Sequence, residues 1–81
     1  MPMEKIDLTV RYTRRGEIIP LRFEGEAISV QIRETGRRWE TEEGRHLLVM
    51  DFQNQTYHLF HHREEDSWYL IQDLKPPRRP A

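Results

Sequence analysis

Three stretches decide the fold: Ile6-Asp-Leu-Thr-Val-Arg-Tyr12, Ile19-Pro-Leu-Arg-Phe23 and Ile28-Ser-Val-Gln-Ile32. In each, apolar and polar side chains alternate with period two, the pattern of a half-buried strand. Arg15-Gly16 and Gly25-Glu26 lie between them, and glycine accepts the positive φ that tight hairpin turns require. A two-residue turn at Arg15-Gly16 sets Tyr12 opposite Ile19, Val10 opposite Leu21 and Leu8 opposite Phe23. A turn at Gly25-Glu26 sets Phe23 opposite Ile28, Leu21 opposite Val30 and Ile19 opposite Ile32. Every apolar residue then shares one face of a three-stranded meander, and a slip of one residue would turn all of them outward. Pro20 brings no N–H to the ladder, so a bulge or local edge is expected there. Leu21 and Val30 are expected in the core.

The second half continues in strands. Residues 46–53, 56–62 and 68–74 alternate in the same way, with turns at 53–56 and 63–67. Residues 34–45 form the longest connection, anchored by Trp39 packing on the core. The final segment, 75–81 (Lys-Pro-Pro-Arg-Arg-Pro-Ala), cannot continue a strand and is expected to be a flexible or extended tail. Its Pro77-Arg-Arg-Pro80 has the spacing of a polyproline-type ligand. The expected fold is one all-β domain over residues 1–74: a six-stranded antiparallel small barrel, or two packed three-stranded meanders.

Composition narrows the function classes. Eighty-one residues make one domain with a thin core. The absence of cysteine rules out disulfides, thiolate catalysis and Cys-ligated zinc, and fits a reducing compartment. Met1-Pro-Met-Glu-Lys5 holds no apolar stretch, and no run approaches the ~20 apolar residues of a membrane span, so a cytoplasmic protein with no membrane partner is expected. The net charge of −1 hides an uneven distribution. Residues 1–38 carry eight basic and six acidic side chains (+2), residues 39–74 two and eight (−6), and the tail three basic ones (+3).

If Asn54-Gln55 is the turn, Leu48, Met50 and Phe52 face Leu59, Tyr57 and His61 on the core side, joined by Trp68 and Leu70. The opposite side then exposes Leu47, Val49, Phe60, Tyr69 and Ile71 together, and an apolar patch of that kind marks an interface. The same register sets His58 between Asp51 and Asp73, an arrangement seen in proton relays and oriented metal ligands. No serine or cysteine stands beside it to complete a mechanism, so no catalytic residue is assigned. His61 and His62 point to opposite faces, and His58 and His62 lie ~13 Å apart along a strand, so neither a metal nor a cofactor is expected. Arg11, Arg22 and Arg33, with Arg37 and Arg38 in the long connection, are the candidates for contact with nucleic acid. Asp7, Glu24 and Glu34 partly neutralise them, and no aromatics interleave to stack bases, so such binding is expected to be weak.

Pro20-Leu-Arg-Phe23, Gly25, Ile28-Ser-Val30, Trp39, Val49, Tyr57-His-Leu-Phe60 and Trp68-Tyr-Leu70 together resemble a small bacterial β domain. That domain occurs alone and at the C-terminus of some proteins similar to translesion DNA polymerases. The likeness covers residues 18–74 and implies an accessory role in DNA transactions, with no catalytic residue to transfer. The residues themselves point first to a non-enzymatic protein-interaction module, binding a protein partner or forming a homodimer through the C-terminal meander. A nucleic-acid-binding accessory domain is the alternative.

Overall fold

The computed structural model describes residues 3–71. Alternation becomes strand in six places: β1 (Met3–Tyr12), β2 (Ile18–Glu24), β3 (Ser29–Glu40), β4 (Gly44–Asp51), β5 (Thr56–His62) and β6 (Ser67–Ile71). Each strand pairs antiparallel with its sequence neighbour, and Met3–Ile6 of β1 pairs with Ile71–Trp68 of β6, so the sheet closes into a six-stranded barrel. Closure satisfies edges that an open sheet would leave exposed. Two strands serve both walls. The N-terminal part of β1 pairs with β6 and the rest with β2, while β3 pairs with β2 over Ser29–Gln31 and with β4 from Ile32 to Glu40.

The inward residues form one cluster of Ile6, Phe23, Val30, Ile32, Leu47, Val49, Leu59 and Leu70. Phe23, Leu59 and Val49 are fully enclosed, each stabilising the fold by about 1.5–3 kcal/mol through removal of apolar surface from water. Phe23 meets Tyr57 edge to face at 5.4 Å, and Trp68 packs against the same cluster. The carboxylate of Glu4 accepts the Glu26 N–H at 2.8 Å and ties the β2–β3 turn to the first strand.

Three turns depart from the expected geometry, with different consequences. The first hairpin turns over three residues, not two. Gly16 donates to the Thr13 carbonyl at φ 86°, and the Thr13 hydroxyl accepts the Arg15 and Glu17 N–H groups. That change alone would displace the register by one, but a bulge at Leu21, beside Pro20, restores it. Leu8 therefore faces Phe23 as expected, while Val10 faces Pro20 and Arg11 faces Ile19. Between the turn and the bulge the faces are exchanged. Pro20 is buried and Leu21 is 43% exposed, which corrects the assignment of Leu21 to the core. The bulge expected from the missing Pro20 N–H is present, and it turns Leu21 outward.

The second turn runs from Gly25 to Ile28 and sets Phe23 opposite Val30. This displacement is by two residues, so inward positions stay inward, and Val30 is buried as expected. Residues 34–45 are not a long connection. Most of them extend β3 to Glu40, with two bulges that bend the strand, and only Thr41–Glu43 turn into β4.

The third turn has the largest consequence. Asp51 accepts the Asn54 N–H on its carbonyl, its carboxylate accepts the Gln53 and Gln55 N–H groups at 2.8 and 2.9 Å, and Asn54 takes a left-handed φ of 68°. This is a three-residue hairpin loop, a type I turn closed by a left-handed residue. It pairs Leu47 with Leu59 and Val49 with Tyr57, three residues away from the expected register. An odd displacement exchanges faces. Leu47 and Val49, expected on the exposed patch, are 3% and 1% exposed and belong to the core.

Candidate functional site

With Leu47 and Val49 turned inward, β4 sends His46, Leu48 and Met50 outward. The ladders set them beside His58 and Phe60 of β5, then Tyr69 and Ile71 of β6. β3 adds Trp39, opposite His46, and β1 adds Lys5 opposite Tyr69. The outer wall of β3 to β6 is therefore a continuous row of rings. Trp39 stacks on His46 with centroids 5.0 Å apart and planes 5° from parallel. His46 lies 4.7 Å from Phe60 and 5.0 Å from His58, and Phe60 lies 6.5 Å from Tyr69. The Arg37 guanidinium sits over the Trp39 ring at 5.2 Å.

Phe60, Tyr69 and Ile71 are thus on the outer wall, as expected, while Leu47 and Val49 are not. Their neighbours differ from expectation as well. Phe60 is 3% exposed, closed in by His46, His62 and Tyr69. It forms the floor of the face. Trp39, His46, His58, Tyr69 and Ile71 remain half-buried and form its surface. Trp39 does not anchor a loop on the barrel interior but lies outside it.

A histidine pair occupies the centre. His46 Nδ1 and His58 Nε2 are 2.8 Å apart, and His46 Nε2 is 3.2 Å from the Thr41 hydroxyl. Such a contact needs one nitrogen to donate and the other to accept, so the two rings cannot both be imidazolium without breaking it. Burial holds the pKa of His46 below the ordinary histidine value, and the nearby Glu43 opposes that shift. Asp51 does not stand beside His58, contrary to expectation: Leu48 is the residue opposite His58 on β4. Asp51 pairs with Ile32 across the ladder, and its carboxylate is held by its own turn and by the Tyr57 hydroxyl at 3.2 Å. These hydrogen bonds, chiefly the one from Gln55, lower the Asp51 pKa. Asp73 lies outside the described residues.

His61 turns to the other side, stacked on Trp68 at 4.9 Å and 2.8 Å from Asp66. Among the described residues no three His, Cys, Asp or Glu side chains gather where they could hold a metal ion. No helix among them is long and apolar enough to cross a membrane.

Carboxylates border the face at one end. The turns Thr41–Glu43 and Arg63–Asp66 are joined by the Arg63 N–H to the Glu43 carbonyl at 2.9 Å and the Arg63 guanidinium to the Thr41 carbonyl at 3.2 Å. They bring Glu42, Glu43, Glu64 and Glu65 to the same rim. Tyr69 donates to Glu65, and this bond raises the pKa of the phenol. Residues 39–71 hold seven acidic and two basic side chains, a net charge of −5.

The arginines expected to act together are dispersed. Arg22 is ion-paired with Glu24. Arg33 reaches the Asn54 side-chain oxygen at 2.9 Å, and Arg38 donates to the Ile18 carbonyl at 3.2 Å. Arg37 lies on Trp39, and Arg11 is exposed on the opposite wall. Arg37 and Arg38, adjacent in β3, thus have different partners, as successive strand residues point to opposite faces. Sequence alternation does not assign Trp39, His46, Leu48 or Met50 to the face, and it places Leu48 and Met50 on the core side instead. For the β4 members the signal is the period of two through His46, Leu48 and Met50. Compared with known protein families, with curated proteins and with solved structures, the chain matches none.

Proposed function

We propose that this domain is a non-enzymatic protein-interaction module, acting in the cytoplasm, whose outer wall of β3 to β6 docks an extended basic peptide of a partner protein. One observation carries the reading: a continuous face of Trp39, His46, His58, Phe60 and Tyr69 lies outside a barrel whose apolar core is complete without it. Aromatic rings beside carboxylates suit arginine and proline, because rings stack on guanidinium and pyrrolidine groups while the rim pairs the charge. β4, β5 and β6, which carry most of the face, are each paired on both sides, so on these strands a partner binds across side chains and not by adding a strand. A second copy of this face is a poorer partner, since both acidic rims would meet. Nucleic acid faces the same obstacle, and the dispersed arginines supply no compensating row. An accessory role in DNA transactions, as the resemblance of residues 18–74 implies, would therefore run through a protein contact.

Fluorescence polarisation tests the reading. Arg/Pro-rich peptides should bind, and more weakly as salt rises, while Glu-substituted peptides of equal length should not. Saturable binding of single-stranded DNA or RNA at ~150 mM salt, with no peptide binding, would overturn it in favour of the nucleic-acid alternative.

A further inference from the structure

We propose that the chain carries its own occupant for this face: Lys75-Pro-Pro-Arg-Arg-Pro80 docks in cis on the Trp39–His46–Phe60–Tyr69 wall and competes there with the partner peptide. The inference rests on the interaction reading above and specifies its regulation.

Three observations support it. The chemistry matches, because those six residues hold three prolines and three cations while residues 39–71 carry a net charge of −5 from seven acidic and two basic side chains. The proline spacing favours an extended left-handed helix that costs little entropy to order. The origin of the segment also matches. Ile71 pairs with His58 and with Met3, on the outer wall itself, so the chain leaves the barrel beside the face.

The length suffices. Crossing from β6 to β3 spans three strand spacings, ~14 Å, and moving one row along the strands from Ile71 to Tyr69 adds ~7 Å. Residues 72–80 reach up to ~30 Å when extended, enough to turn back and cross the row. Attachment to the same chain raises the local concentration of the segment to about 1 mM. A ligand with an intrinsic Kd of ~0.1 mM would then occupy the face about nine-tenths of the time, and a competing peptide would bind about tenfold more weakly.

The experiment compares the full chain with its Lys75→Glu, Arg78→Glu, Arg79→Glu triple variant, both labelled with 15N. The probe is the synthetic peptide Lys75–Pro80. The triple variant should shift the Trp39 indole N–H and the amides of His46, His58 and Tyr69, leaving Val49 and Leu59 in place. It should also bind the added peptide about tenfold more tightly than the parent. A parallel variant, Pro76→Ala with Pro77→Ala and Pro80→Ala, keeps the charge and should give smaller shifts of the same residues.

Identical spectra and equal peptide affinity in parent and triple variant would overturn the tail as occupant while leaving the interaction reading intact. If neither protein binds the tail peptide or any other Arg/Pro-rich peptide, both readings fall. Shifts that grow with protein concentration would place the tail of another copy on the face and overturn docking in cis.

Discussion

The barrel has two outer walls built by the same alternation, and they differ in what they offer to solvent. On the wall of β1 and β2, Arg11 and Thr9 lie beside Ile19 and Arg22. Arg22 is neutralised by Glu24, and Leu21 stands exposed at its bulge. On the wall of β3 to β6, outward positions carry rings that touch one another, and one of them, Phe60, is as buried as the core. The contrast shows that the second wall is a packed layer in its own right. A solvated wall tolerates substitution at almost every outward position, whereas a packed one does not.

Breaking the second layer gives the largest effect. Phe60→Ala should cost about 3–5 kcal/mol, as for a buried aromatic removed from a core, and Phe60→Glu should leave too little stability for the domain to fold. Urea denaturation followed by circular dichroism measures both. If Phe60→Ala costs less than ~1 kcal/mol, a value usual for surface positions, the layer is not packed.

Gly44 lies under the same layer. A Cβ added there would sit 1.9 Å from the His61 carbonyl oxygen and 3.0 Å from the Phe60 ring, and backbone cannot yield as a flexible side chain can. Gly44→Ala should therefore cost about 2–3 kcal/mol by forcing β4 and β5 apart, measurable as a lower denaturation midpoint at unchanged slope.

Acidification separates the walls more gently. His46 binds its proton less readily folded than unfolded, because burial disfavours the imidazolium more than Glu43 favours it. Below its unfolded pKa of ~6.5 the unfolded state takes up more protons, so stability is complete above that value and declines as pH falls through the lowered folded pKa. Asp51 acts in the same direction at lower pH, since its folded pKa is depressed and its contribution is lost below the ordinary carboxylate value. Thermal melts should fall between pH 7 and 5 in the parent and fall less in His46→Gln. Equal pH profiles would show that His46 does not set the acid sensitivity of the fold.

The smallest effect is expected on the first wall. Leu21→Ala removes a side chain that is 43% exposed and should cost less than ~1 kcal/mol, against about 2–5 kcal/mol for Leu59→Ala in the core. Equal costs at Leu21 and Leu59 would mean that the bulge does not turn Leu21 outward.

How far each feature was legible depended on turn length. Alternation was enough for six strands and for the Leu8–Phe23 pairing, because a face depends on whether a turn error is odd or even. The error at Gly25–Ile28 is even and harmless. At Arg15-Gly16 it is odd, but the bulge beside Pro20 cancels it, so the exchange of sides is confined to the stretch from Ile18 to Leu21. At the β4–β5 turn nothing cancels it, and the candidate site changed membership. The information was present in Asp51-Phe-Gln-Asn54: aspartate caps backbone N–H groups, and asparagine tolerates left-handed φ, so the pair favours a three-residue loop. The extension of β3 was harder to read, since two bulges, one between Ile32 and Glu34 and one between Thr35 and Arg38 that includes Gly36, interrupt its alternation.

Residue-resolved titration of the full chain with an Arg/Pro-rich peptide shows which wall of the barrel is the binding face. Saturable shifts are expected at the Trp39 indole N–H and at the His46, His58 and Tyr69 amides, reduced as salt rises, with Arg11 and Arg22 unmoved. Shifts confined to the wall of Arg11 and Arg22, or none at millimolar peptide, would contradict docking on the wall of β3 to β6.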